Sequence, residues 1–143
     1  MADIYIDATN LILGRLAAYS AKLAREGNNV FIFNCDKAVI SGAKEFIQQH
    51  YHEKFRKKTP KSIKGPYYYK LPDRFVRRAI RGMVEIRNER GRNAYKKIKT
   101  FIGVPEKYEK QKLVSFEKAD SSKRKTLKTY SIGELCRWLG GKW

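Results

Sequence analysis

At 143 residues and 42% hydrophobic content, the chain has room for one domain of ordinary size that folds without covalent staples. Its formal net charge is +18, and residues 1–50 hold five Lys/Arg against five Asp/Glu, so the whole excess lies in residues 51–143. Such a load repels itself in the compact state unless a polyanion screens it, which argues for a neutral folding half joined to a surface built for phosphates.

Ile4, Tyr5 and Ile6 read as a short strand, and the stretch to Asn29 is long enough for a crossover helix. In that helix Leu13, Leu16, Ala17, Ser20, Leu23 and Ala24 recur at helical steps opposite Arg15, Tyr19, Lys22 and Glu26, with Asn10 or Thr9 as N-cap and Gly27 as stop. The unbroken apolar run Val30 to Phe33 predicts a strand buried on both faces, as in a parallel sheet. Ser41 is expected to cap a second helix with Ile47, Tyr51 and Phe55 on one face and cations in its last turn. Residues 59–71 read as a Pro/Gly loop, and Pro72-Asp73 opens a third helix. Ile98 to Ile102 alternates as a strand, and Leu113, Val114 and Phe116 suggest a further short one. Ser131 and Glu134 mark a capping box for a last helix that buries Ile132, Leu135, Cys136 and Leu139 and stops at Gly140. This order predicts a single α/β domain: a three-layer α/β/α core with a small, mainly parallel sheet over about residues 1–105, and a basic extension with a terminal helix over about residues 106–143.

The third helix carries the strongest chemical signal. Val76, Ala79, Ile80 and Met83 make one face, and Arg74, Arg77, Arg78 and Arg81 make another at i, i+3, i+4 and i+7. A merely solvated face would interleave Glu for ion pairing, whereas only Asp73 and Glu85 flank this row; guanidinium forks suit phosphate oxygens. Upstream, Lys54, Arg56, Lys57, Lys58, Lys61, Lys64 and Lys70 are interleaved with Tyr51, Phe55, Tyr67, Tyr68 and Tyr69. Tyr51 and Phe55 fit the core; the tyrosine triplet fits either base stacking on unpaired RNA or burial within the loop. Further cations at Arg87, Arg90, Arg92, Lys96, Lys97, Lys99, Lys123, Arg124, Lys125 and Lys128 make the footprint dispersed, which favours a large folded RNA.

Catalytic features are sparse. Asp7 and Asp36 each follow a predicted strand, where a parallel sheet places ligands, and could hold Mg²⁺ in an RNA-processing enzyme; both also read as ordinary turn residues. His50 and His52 lie on different helix faces, and Cys35 and Cys136 lack metal or disulfide spacing, so two reduced, packed thiols and no metal or other cofactor are expected. No phosphate-binding loop, dinucleotide fingerprint or nucleophile elbow occurs, so no small-molecule substrate is implied. The longest apolar run is four residues, no leader-like stretch precedes the first strand, and no basic helix presents a continuous apolar face, which predicts a cytoplasmic protein without a membrane partner.

Several of these residues also form a pattern. Ile6-Asp7-Ala8, Leu13-Gly14-Arg15-Leu16-Ala17, Val30-Phe31-Ile32-Phe33-Asn34, Ile40-Ser41-Gly42 and Ala79-Ile80-Arg81-Gly82-Met83, followed by Gly91 and Lys97, resemble the L thirteen family of large-subunit ribosomal proteins, in order from about residue 4 to 105. The chain departs from the family where GMLP is usual and Gly82-Met83-Val84-Glu85 stands here, and Val104-Pro105 resembles the archaeal branch. The resemblance implies a three-layer α/β fold and binding to large-subunit rRNA among neighbouring ribosomal proteins, with rRNA contacts on Arg15 and on the helix bearing Arg74, Arg77, Arg78 and Arg81. The expected function is therefore a non-enzymatic, structural constituent of the large subunit; the competing readings are the Mg²⁺-dependent enzyme and an RNA-binding regulator outside the ribosome.

Overall fold

A computed structural model describes residues 1–57, 67–125 and 128–143. Strand β2 (Asn29–Phe33) lies at the centre of a three-stranded parallel sheet, between β1 (Asp3–Asp7) and β4 (Ile98–Thr100). Register pairs Ile4 with Val30, Ile6 with Ile32 and Val30 with Ile98, so these five side chains share one face. Helices α1 (Leu13–Arg25), α3 (Pro72–Arg81) and α4 (Glu89–Lys96) bury that face, with Leu16, Ala17, Ala21, Val76, Ile80 and Ala94 in the same core. The opposite face is aromatic: Phe33 lies within about 6.3 Å of the rings of Tyr5, Phe101 and Tyr108, and Phe31 stacks on Tyr5 and meets Tyr108. Burial on both sides of β2 follows from its uninterrupted apolar run, as the sequence predicts.

The first helix starts later than its polar flank suggests. Neither Asn10 nor Thr9 caps it; Ile12 occupies the N-cap, and Asn10 takes a positive φ of 59°. The chain from Leu11 to Ile12 is instead held by other segments, through Ile12 N–H to the Ala119 carbonyl, Val39 N–H to the Leu11 carbonyl and Ser121 N–H to the Asn10 carbonyl. Tertiary backbone bonds thus replace a side-chain cap. Its C-terminus does end at Gly27, where a φ of 101° suits glycine and Asn28 N–H closes back on the Leu23 carbonyl.

Ser41 is likewise not a cap. It ends β3 (Val39–Ser41), which pairs antiparallel with β5 (Thr129–Ser131), and Ala43 is the N-cap of α2 (Lys44–Arg56). The predicted strand from Ile98 stops at Thr100: Phe101 N–H still makes the ladder bond to the Ile32 carbonyl, but beyond it Cys35 N–H takes the Phe101 carbonyl and Asn34 N–H the Gly103 carbonyl, so the register with β2 is lost. Of the further strand expected at Leu113 to Phe116, one bridge remains: Val114 pairs with Ile6 and covers the outer edge of β1. Helix α5 (Ile132–Trp138) is capped as expected, its Ser131 hydroxyl accepting from Glu134 N–H at 3.2 Å, and it buries Ile132, Leu135 and Cys136. Burial pushes the Cys35 and Cys136 thiols up to about 12, which leaves them protonated.

At the carboxyl end of the sheet Asp7 is held as a structural group. Its carboxylate accepts from Thr9 N–H at 3.0 Å, Thr9 Oγ1 at 2.7 Å and Asn34 Nδ2 at 3.0 Å. Burial alone raises its pKa, but the bonds from Asn34 and Thr9 and the Lys37 charge outweigh that and leave it below the ordinary carboxyl value. Asp36 lies apart from these bonds, its Cβ against Gly133 at the start of α5, and no cluster of three metal-ligating residues forms among the described residues.

Two predictions follow from this packing. A Cβ on Gly91 would sit 2.0 Å from the Glu85 carbonyl oxygen, whereas one on exposed, helical Gly14 meets nothing within 4 Å. Gly91→Ala is therefore expected to destabilise by about 1–3 kcal/mol and Gly14→Ala to stabilise by up to about 1 kcal/mol. Urea unfolding midpoints should move in opposite directions, and equal midpoints would remove the close approach as a constraint. For Asp7 the lowered folded pKa means stability present above the ordinary value of 3.8 and lost as the pH falls through the folded pKa. Melting temperatures of wild type and Asp7→Ala should differ at neutral pH and converge in acid; a constant gap would show that the charge is not what holds this corner.

Candidate nucleic-acid interface

Proline at the first position of α3 sets its helical φ, and Val76 and Ile80 turn inward, so the row Arg74, Arg77, Arg78, Arg81 faces outward as its spacing requires. The structure divides that row. Arg74 and Arg81 are exposed, while Arg77 and Arg78 are half-buried. Arg77 lies over the Tyr95 ring of α4 at 4.8 Å, and Arg78 lies over Tyr68 at 4.6 Å and donates to the Tyr67 carbonyl. Arg74 lies 5.8 Å from the ring of Tyr69. Aromatic faces therefore orient three of the four guanidinium groups. The tyrosine triplet is split as well: Tyr67 is 61% exposed and Tyr69 46%, whereas Tyr68 is half-buried against Phe55.

No described carboxylate neutralises this row. The single ion pair among the described residues joins Lys123 and Glu117 at 3.2 Å, far along the chain from α3.

Helix α4 is the one α-helix that sequence reasoning missed among the described residues, and it extends the basic face. Its inward residues are Gly91 and Ala94, too small to produce a helical hydrophobic signal. Between the end of α3 and the start of α4, an open cleft of about 580 Å³ is lined by Arg78, Arg81 and Arg87 above Val84 and Ile86. A second cleft joins Arg90 and Lys97 to Arg25, and a third of about 600 Å³ places Lys96, Lys97 and Lys99 beside Phe31. Arg25 was hidden from sequence reasoning because it belongs to the half whose charges sum to zero.

Other predicted residues have internal tasks. Arg15 is exposed but donates from Nη1 to the Lys118 carbonyl at 2.9 Å. Lys97 Nζ bonds the Gly27 carbonyl at the end of α1, and Arg92 Nη1 bonds the Arg87 carbonyl. Lys54 lies over Tyr51, Lys99 lies over Phe31, and Lys123 is in the ion pair. Arg56, Lys57, Lys70, Arg87, Arg90, Lys96 and Lys125 are exposed, and Arg124 is half-buried. Lys58, Lys61 and Lys64 lie outside the described residues. His50 stacks on exposed Phe46, and His52 meets Trp138 edge-on.

A family model described as Ribosomal protein L13 matches residues 2–107. Among curated relatives, the chain is similar to the Large ribosomal subunit protein uL13 of Methanococcus maripaludis, at 41% identity over 97% of this chain and 98% of the relative. It is similar to the proteins of the same name from Archaeoglobus fulgidus, at 38% identity over 94% and 86%, and from Sulfolobus acidocaldarius, at 36% over 96% and 93%. By the match over most of its length and by these identities, the chain belongs to the ribosomal protein L13 family.

Proposed function

We propose that this protein is a structural, non-enzymatic constituent of the large ribosomal subunit. It binds and braces large-subunit rRNA during and after subunit assembly, in the cytoplasmic ribosome and beside other large-subunit proteins. One observation carries the reading: the guanidinium row of α3 continues through Arg87, Arg90 and the lysines of α4 and β4, and among the described residues none of these cations forms an ion pair, although Glu85 and Glu89 lie in the same clefts. Such a surface is stable only with its charge screened, and arginine supplies paired hydrogen bonds to phosphate. The names of the relatives supply the particular RNA, since all are large-subunit proteins. Exposed Tyr67 and Tyr69 stand beside the row, where unpaired bases would stack.

Because Arg77 and Arg78 also hold the fold together, the informative substitutions are at the two exposed positions. Purified protein titrated with large-subunit rRNA should show affinity that falls steeply with salt. The double variant Arg74→Ala/Arg81→Ala should bind roughly 10- to 100-fold more weakly, with a log–log salt slope shallower by about 2 and an unchanged melting temperature. Undiminished binding by a stably folded double variant would remove α3 from the interface.

A further inference from the structure

The cleft between α3 and α4 contains a group that phosphate binding does not explain. Beside Arg78, Arg81 and Arg87 its lining includes Glu85, whose carboxylate accepts from Asn88 Nδ2 at 3.3 Å. A carboxylate there repels phosphate, so a site built only for backbone would do better without it. The floor is also wrong for phosphate: Ile86 is half-buried and leaves an apolar surface in the cleft suited to the face of a base, backed by Val84 in the core. At about 580 Å³ the cleft falls within the size range of small-molecule sites, whereas backbone contacts need no concavity.

We propose, on the footing of the rRNA reading above, that this cleft receives one unpaired guanine nucleotide of the RNA. Guanine is the one standard base whose Watson–Crick edge places two N–H donors side by side, N1–H and N2–H, matching the two oxygens of Glu85. Its ring lies on Ile86, and the phosphates on either side of it meet Arg81 and Arg87. Single-stranded RNA is read in this way, by splayed bases hydrogen-bonded along their edges.

The turn that carries Glu85 is held in place before any ligand arrives. Asn88 N–H bonds the Glu85 carbonyl at 3.1 Å, Arg92 Nη1 bonds the Arg87 carbonyl at 3.1 Å, and Gly91 lets α4 approach the Glu85 backbone more closely than any Cβ would allow. Arg78 is fixed by the Tyr68 ring and the Tyr67 carbonyl. Little ordering is left for binding to impose, which favours discrimination between bases.

The test uses the full-length protein and fluorescently labelled RNA heptamers that differ only in the central base of an otherwise all-uridine strand, read by anisotropy. Guanine at the centre should bind about fivefold or more tightly than uracil, the discrimination of one bidentate pair. Glu85→Gln and Glu85→Ala should both lose that preference while binding the all-uridine strand as tightly as wild type or more tightly, since a charge that repels phosphate is gone. A side chain acting only in folding would not give that combination. Equal affinity for all four central bases, or a guanine preference that survives both substitutions, overturns the proposal. If that happens while Arg74→Ala/Arg81→Ala still weakens every heptamer, the phosphate-binding face stands and only the nucleotide site falls.

Discussion

The constraint on which this molecule depends is that its cations cannot be satisfied from within. Fourteen acidic residues face 32 basic ones, and among the described residues one carboxylate forms an ion pair. Folding must therefore rest on apolar burial around β2, where Val30, Ile32 and Phe33 are fully enclosed, and must overcome the repulsion of everything arranged outside it. What orients the arginines of α3 is aromatic rather than acidic. Tyr69, Tyr95 and Tyr68 present their faces to Arg74, Arg77 and Arg78. A ring orders a guanidinium plane without cancelling its charge, so the positive potential stays available to an external polyanion. A carboxylate in the same place would have ordered the side chain and removed its use.

Much of this was legible in the sequence, and the parts that were not share a cause. β2, the apolar stripe of α1, the Pro-led α3 and the Ser131-capped α5 each carry a local signal of period, cap or breaker strong enough to survive tertiary packing. The start of α1 was misplaced because backbone bonds to Val39, Ala119 and Ser121 stand in for a polar cap, and those partners are distant in the chain. β3 and β5 are three residues each and pair across some ninety positions, which no window of sequence reveals. Helix α4 buries glycine and alanine, so its period is written in size rather than hydrophobicity.

The site followed the same rule. The spacing of Arg74, Arg77, Arg78 and Arg81 gave their common face correctly, because helical geometry alone determines it. It could not separate the exposed pair from the pair held by rings, because Tyr95 and Tyr68 come from other elements. Nor could it join Arg25 to Arg90 and Lys97, which required the end of α1 to lie beside α4.

The division into a neutral half and a basic half is thus one of sequence and not of space. The C-terminal segment supplies Ile132 and Cys136 to the main core, Tyr130 and Leu135 to the cluster around Ile47, and the strand that pairs with β3. Lys97 closes the end of α1, and Arg15 reaches the turn at Lys118. Residues from the charged half therefore hold elements of the neutral half in place. A polyanion that screens the first will also steady the second, because any ligand bound only by the folded chain shifts the folding equilibrium toward it. Under the proposed function, binding of a polyanion and folding are linked by connectivity, because the same helices that present the cations complete the core.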